Sequence, residues 1–397
     1  MRRGGMGEAG TRAMRVGVAG LGRAFAVMLP TFLADARVRL VAAADPRSEA
    51  RAAFAADFGG RSYETVAELC ADAEVEVVYI ATPHQHHRAH AVEAARHGKH
   101  LLIEKPMALT LEDCEATIAA ARAAGVHTIV GHSHSFDAPV QRLRALVASG
   151  DYGRVRMINA INYTDYLYRP RRPEELDTAQ GGGAVFNQAA HQVDIVRLLG
   201  GGNVVSVRAI AGTWDATRPT EGAYAALLTF ADGAFASLSY SGYGRFDSDE
   251  FHGWIGEMGQ PKPAYIRVPR QRFDRAWEEA AYKNARNYGG SDYRAPPPPI
   301  AHQNFGTLIV SCELADLRAL PTGVAIYQDG MQRIEPLPPP MAPRGEVIDE
   351  LYDAVVDGKP PLHDGAWAMA TVEVLLGMLR SAREGCDVAL SHQVQPA

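Results

Sequence analysis

The pattern of apolar and polar positions changes character once along the chain. From Met14 to about Gly131, short apolar runs alternate with segments of helical spacing. The runs "MRVGVAG", "VRLVAAAD", "VEVVYIAT", "KHLLIE" and "VHTIVG" read as strands. Between them lie "AFAVMLPTFLADA", "SEARAAFAADFG", "HRAHAVEAARHG" and "TLEDCEATIAAARAAG", the last with Thr110 as its N-cap. Strands that alternate with helices of this length predict a doubly wound parallel sheet with right-handed crossovers. This α/β domain is expected over residues 14–135, after a disordered lead of residues 1–13.

After about Phe136 the rhythm is different. A helix, "VQRLRALVASG", leads through "RVRMINAINY" to a glycine-led helix that begins in "GGGAVFNQAAHQVD". Runs such as "VVSVRAIAG" and "AYAALLTFADGAFASLSYSGYG" follow, with "ADG" as a hairpin signal. Adjacent strands of this kind predict an α+β domain with an open, mostly antiparallel sheet over residues 136–397. Residues 258–305 are polar, rich in Tyr and Arg, and contain "APPPP". They read as an inserted excursion with a helix near 272–286. "GAWAMATVEVLLGMLRSAREG" closes the pattern as an amphipathic helix.

A chain of 397 residues suits two domains, and 47% apolar with 22% charged residues is ordinary globular composition. The net charge of −6 gives no reason to expect nucleic acid or an anionic membrane as partner. Cys70, Cys114, Cys312 and Cys386 lack metal or redox spacing and read as reduced thiols. The first residues carry no apolar region of a secretory signal, and no apolar run is long enough to span a bilayer. A cytoplasmic location is expected.

"VGVAGLGRAF" joins the first strand to the first helix. Gly20 and Gly22 fit the first two glycines of a dinucleotide-binding turn: the first allows the tight turn and the second lets a diphosphate approach the helix N-terminus. Phe25 stands where the third glycine belongs. Asp45 ends the second strand and can accept from the adenosine ribose hydroxyls, which favours NAD. Arg47 lies close enough to welcome a 2′-phosphate, so NADP stays open. "YIATPHQHHRAH" and "LLIEKPMALT" end two further strands at the carboxyl edge, where open α/β sheets bind ligands. In "GGGAVFNQAAHQVD", Asn187, His191 and Asp194 fall at i, i+4 and i+7 and would share one helix face. The histidines of "HQHH" and "HSHS" suggest a metal, but no third ligand has a sequence signature, and no metal is expected.

These stretches, with "DGAWAMATVEVLLGMLRSAREG", resemble the Gfo/Idh/MocA family of NAD(P)-dependent oxidoreductases, over nearly the whole chain. The resemblance implies a Rossmann domain followed by a second domain whose open sheet mediates homo-oligomerisation, as a dimer or tetramer. It implies a catalytic role for Lys105 beside the nicotinamide and for His191 at the substrate, with Asn187 as the third member of the catalytic set. The family commonly has aspartate at the position of Asn187, whose amide can orient but cannot stabilise an imidazolium by charge. Ser135 stands where the family often has arginine. Motif and resemblance together assign the cofactor to Gly20, Leu21, Gly22, Arg23, Ala24, Asp45, Arg47, Thr82, Pro83, His84, His87, Glu104 and Lys105.

Within the family, "NYTDYLYRPRRPEELDTAQGGG", "SGYGRFDSDE" and "SCELADLRALPTGV" are similar to enzymes that oxidise a cis-dihydrodiol of phthalate, 4,5-dihydro-4,5-dihydroxyphthalate, to 4,5-dihydroxyphthalate. Arg169, Arg171 and Arg172 would then clamp carboxylates, or else pair with Glu174 and Glu175 as surface residues. His132 and His134 would line the substrate cleft with Asn187 and His191. The alternatives are a sugar or cyclitol dehydrogenase of the same family, an NAD-dependent glycosidase, and a non-enzymatic dinucleotide sensor.

Overall fold

A computed structural model describes residues 12–131, 133–264, 273 and 275–396. The alternating first part forms strands β1 (Met14–Ala19), β2 (Val38–Ala44), β3 (Arg61–Tyr63), β4 (Val77–Ile80), β5 (His100–Ile103) and β6 (Thr128–Val130). Its helices are α1 (Arg23–Ala34), α2 (Ser48–Phe58), α3 (Val66–Ala71), α4 (His87–Arg96) and α5 (Leu111–Ala124). The six strands pair in parallel in the order β3-β2-β1-β4-β5-β6. The order reverses between β1 and β4, which opens a crevice at their carboxyl ends. Thr110 caps α5 as expected, its oxygen accepting from the Asp113 N–H at 3.1 Å. The sequence pattern assigned no element to β3 or α3. β3 has three residues with no apolar alternation, whereas α3 carries a legible capping box from Thr65 to Glu68.

The second part forms α6 (Ala138–Ser149), β7 (Val155–Tyr163), α7 (Ala190–Leu199), β8 (Val204–Gly212), β9 (Ala223–Phe230), β10 (Phe235–Ser241) and α8 (Ala276–Ala285). Four strands follow, β11 (Thr307–Cys312), β12 (Asp316–Leu320), β13 (Gly323–Gln328) and β14 (Met331–Pro336); then α9 (Gly345–Val355), α10 (Gly365–Glu384) and β15 (Val388–Ala389). The nine strands form one sheet, antiparallel except where β10 runs parallel to β7. Side chains of α6, α7 and α10 bury one face of it in a common core.

β11–β14 and α9 lie in a stretch to which the pattern assigned nothing, and α9 does not belong to the second core. Val347, Ile348, Leu351 and Ala354, on one stripe of α9, pack with Met28 and Phe32 of α1 in the core of the first domain. The excursion at 258–305 also returns there: its helix is α8, and Tyr288 beyond it is 2% exposed among Phe25, Phe54 and Phe58. The boundary expected near residue 135 separates the sheets but not the cores. No described helix is long and apolar enough to cross a membrane.

Candidate active site

The glycine turn between β1 and α1 is built as its sequence requires. Gly20 has φ +94°, and a Cβ there would meet the Ala81 carbonyl oxygen at 2.9 Å. Gly22, at the N-cap of α1, has open space where a Cβ would be. That space at a helix N-terminus fits a diphosphate. Asp45 is buried and braces the turn, accepting from the Leu21 N–H at 2.7 Å and pairing with Arg47 at 3.0 Å. Arg47 also donates to the carbonyls of Leu21 and Tyr288, at 2.8 and 3.3 Å. Phe25 fills the place of the third glycine by turning inward, edge-on to Tyr288 at 5.1 Å. The departure from the glycine pattern and the inserted segment therefore belong together.

A cleft of about 830 Å³ runs from this turn along the carboxyl edge. Thr82, Pro83, His84, Glu104 and Lys105 line it, as do Arg23 and Ala24. His87 does not. It is fully buried and ties the two edge loops together, its ring nitrogens 2.8 and 2.9 Å from the carbonyl oxygens of Thr82 and Pro106. The Leu21 side chain is likewise in the core. His84 lies 3.1 Å from the Gly181 carbonyl, and burial drops its pKa to about 3, so it is neutral. Burial lowers Lys105 to about 8 against the carboxylates of Glu104 and Glu257, which favour its charge.

The opposite wall comes from the glycine-led helix, and here the straight face expected from the sequence is broken. A π-helical turn, Val185–Ala189, precedes α7 and changes the angular step along the helix. Asn187 and His191 still line one cleft, whereas Asp194, three residues after His191 within α7, faces away from it. His191 lines the cleft, its ring between His134 and Phe305, each with centroid 4.7 Å away. Asp194 is buried elsewhere, accepting from Trp367 Nε1 at 2.6 Å, Thr371 Oγ1 at 3.0 Å and Ser135 Oγ. Ser135 is thus part of a buried polar network rather than a substrate contact.

Asn187 has an amide because of what it donates to. Its Nδ2 gives hydrogen bonds to the carbonyl oxygens of Gly181 and Gly183, at 3.0 and 2.9 Å. An aspartate would set two acceptors against each other. The Asn187 backbone oxygen in turn accepts from Lys105 Nζ at 2.7 Å, which links the two walls. Gly183 is held at φ +80°, where a Cβ would meet Glu221 Oε1 at 2.1 Å.

The three arginines do not form one fork. Arg171 lies 3.8 Å over the Tyr166 ring, and Arg172 pairs with Glu174 at 2.9 Å. Arg169 faces an adjoining cavity of about 670 Å³, bonded to Asp165 at 2.8 Å. His132 lies outside the described residues. His134 is fully buried beside His191; against the cost of burial, Asp137 at 2.6 Å and Glu257 hold its pKa above the usual value. The sequence reading missed Glu257, Met258, Gln188 and Arg344, which also line the cleft. The inserted excursion hid the first two. The apolar stripe of α9 was a signal that could have placed Arg344 at a helix start.

Residues 14–132 match the oxidoreductase family model with the NAD-binding Rossmann fold, and residues 140–261 match the GFO/IDH/MocA C-terminal domain. The 1-carboxy-3-chloro-3,4-dihydroxycyclohexa-1,5-diene dehydrogenase of Comamonas testosteroni is 49% identical over 377 residues, 93% of this chain and 95% of that protein. A structure from Bordetella bronchiseptica RB50 is 41% identical with TM-score 0.88, covering 95% of this chain and all of that one. The WlbA dehydrogenase of Bordetella pertussis, solved with NADH and UDP-GlcNAcA, shares the fold at TM-score 0.68 and 22% identity, over 96% of this chain and 99% of its own.

Proposed function

Since this chain belongs to the Gfo/Idh/MocA family of NAD-dependent oxidoreductases, we propose that it oxidises a carboxylated vicinal diol of a cyclohexadiene ring to the corresponding catechol. The phthalate diol, 4,5-dihydro-4,5-dihydroxyphthalate, is the specific candidate. The observation that carries the reading is the meeting of Lys105 and His191 in one cleft beside a cavity faced by Arg169. The similarity to a dehydrogenase whose name specifies a carboxylated cyclohexadiene diol supports the substrate class.

Lys105, tethered by the Asn187 carbonyl, holds the carbinol oxygen and favours its deprotonation. His191 takes the hydroxyl proton as general base. Bound NAD+ supplies the hydride acceptor for the carbinol hydrogen. The ring ketone so formed enolises to an aromatic catechol, which drives the reaction toward oxidation. Thr82, Pro83, His84 and Glu104 shape the nicotinamide side of the cleft, and Asp45 with its negative charge disfavours a 2′-phosphate.

The test follows reduced-cofactor absorbance with carboxylated diols, uncarboxylated diols and sugars in parallel. Turnover confined to the carboxylated diols is expected. Turnover of sugars or cyclitols alone would move the protein among the sugar dehydrogenases of the family. Cleavage of a glycoside without net NADH would make it a hydrolase. We place a homo-oligomer contact on the open face of the nine-stranded sheet, where Ile161, Leu227 and Phe235 are exposed.

A further inference from the structure

Arg344 is the least expected side chain in the cleft. It stands at the N-cap of α9, is 8% exposed, and lines the cleft beside Met258. Among the described residues its guanidinium has no carboxylate within ion-pair distance, and its Nε has no hydrogen-bond partner. Its Nη2 contacts only the Met258 sulfur, at 3.9 Å. A buried guanidinium without such a partner is costly, and the cost is normally relieved by an anion.

The carboxylate that feels Arg344 is Glu257, which directly precedes the inserted segment. Its carboxylate lies 3.8 Å from Arg169 Nη1 and 3.6 Å from His134 Nε2. Both distances exceed those of good hydrogen bonds. Burial disfavours its charge, yet His134, Arg169 and Arg344 together pull its pKa to about 2. Glu257 is therefore an anion attracted by a cationic pocket without being locked into it. Arg344 also acts on Lys105, so the pocket adjoins the position of hydride transfer. The glycine turn offers a diphosphate its own N–H groups, while Arg23 shares the field of Arg169, Glu257 and Arg344, which is why NADH binding needs a separate measurement.

We propose that Arg344 and Arg169 bind the carboxylate of the substrate, and that Glu257 occupies their field in the free enzyme until the ligand displaces it. This rests on the proposed carboxylated substrate only for the identity of the ligand. A forked donor buried beside Lys105 can orient a ring carboxylate and so select which carbinol faces the cofactor.

The experiment is calorimetric titration of the NAD+-saturated enzyme with benzoate, with benzamide as the neutral control and NADH binding measured separately. Arg344→Gln should weaken benzoate by about tenfold or more, the loss of a charged hydrogen bond in a buried site. Benzamide and NADH should change by less than about twofold. Glu257→Gln should tighten benzoate, because an internal competitor has been removed. A residue that merely supported the fold would weaken it. A loss of NADH affinity in Arg344→Gln comparable to the loss for benzoate would assign the site to the cofactor diphosphate and overturn the proposal. So would benzoate binding that neither variant alters. Arg344→Lys, which keeps a cation at the helix start, guards against misfolding: it should retain NADH binding while losing part of the benzoate affinity. Benzoate binding that depends on Arg344, in an enzyme that turns over no carboxylated diol, would sustain this inference and overturn the functional reading instead.

Discussion

Three residues carry sharply different expectations. Burial sets Lys105 at about 8. If its cation holds the carbinol oxygen, kcat/KM should fall as pH rises through that value. A rate that climbs past about pH 9 would instead make Lys105 the base. His191→Ala should lower kcat by roughly 100- to 10,000-fold, the usual contribution of a general base, and leave NADH affinity unchanged by titration. Asn187→Asp is the substitution the family pattern invites and the structure argues against. The new carboxylate would face the carbonyls of Gly181 and Gly183 and remove the amide donor they share, leaving only the His84 ring on the first and the Tyr166 hydroxyl on the second. Urea denaturation should show a loss of about 1–3 kcal/mol, with reduced activity from a displaced Lys105 tether. A variant as stable and active as the parent would refute this account of the amide.

At the scale of elements, the inserted segment matters more than its composition suggested. Tyr288 joins it to α1 and α2, with its hydroxyl donating to Asp57 at 2.6 Å and its ring against Phe25. Tyr288→Ala should cost about 3 kcal/mol or more by denaturation, as for other buried aromatics. It should also raise the Kd for NADH, because Asn287 and Lys283 beside it wall the cleft. Tyr288→Phe, which loses only the hydroxyl, should cost about 1 kcal/mol. The glycine-led helix was legible as a helix, and its histidine as a cleft residue. Its π turn was not, because hydrophobic periodicity averages over several turns and does not reveal one irregular rung.

For the whole molecule, the two sheets share elements across the boundary that the pattern suggested. α9 completes the first core, and α10 packs against both β8 and α5. Thermal unfolding followed by near-UV circular dichroism and by calorimetry should therefore give one coincident transition. A fragment of residues 12–135 should bind a hydrophobic dye and melt below the full chain, because Met28 and Phe32 lose their cover. Two separated transitions, with the first domain stable alone, would show that α9 is dispensable.

The sequence by itself determined the parallel sheet and the glycine turn at Gly20 and Gly22, each of them local: a period or a turn residue fixes it. That Lys105 meets the histidine helix was implied only by the family resemblance, because Lys105 and His191 lie 86 positions apart by their numbering. The tertiary structure alone decided that His87 is a buried tie, that Asp194 turns away from His191, and that Arg169 pairs with Asp165 while Arg171 and Arg172 share Glu175. It also brought Glu257 and Arg344, 87 positions apart by their numbering, into one cleft. Such placements depend on which surfaces meet when distant segments pack, and no periodicity along the chain encodes which of several charged neighbours a guanidinium will find.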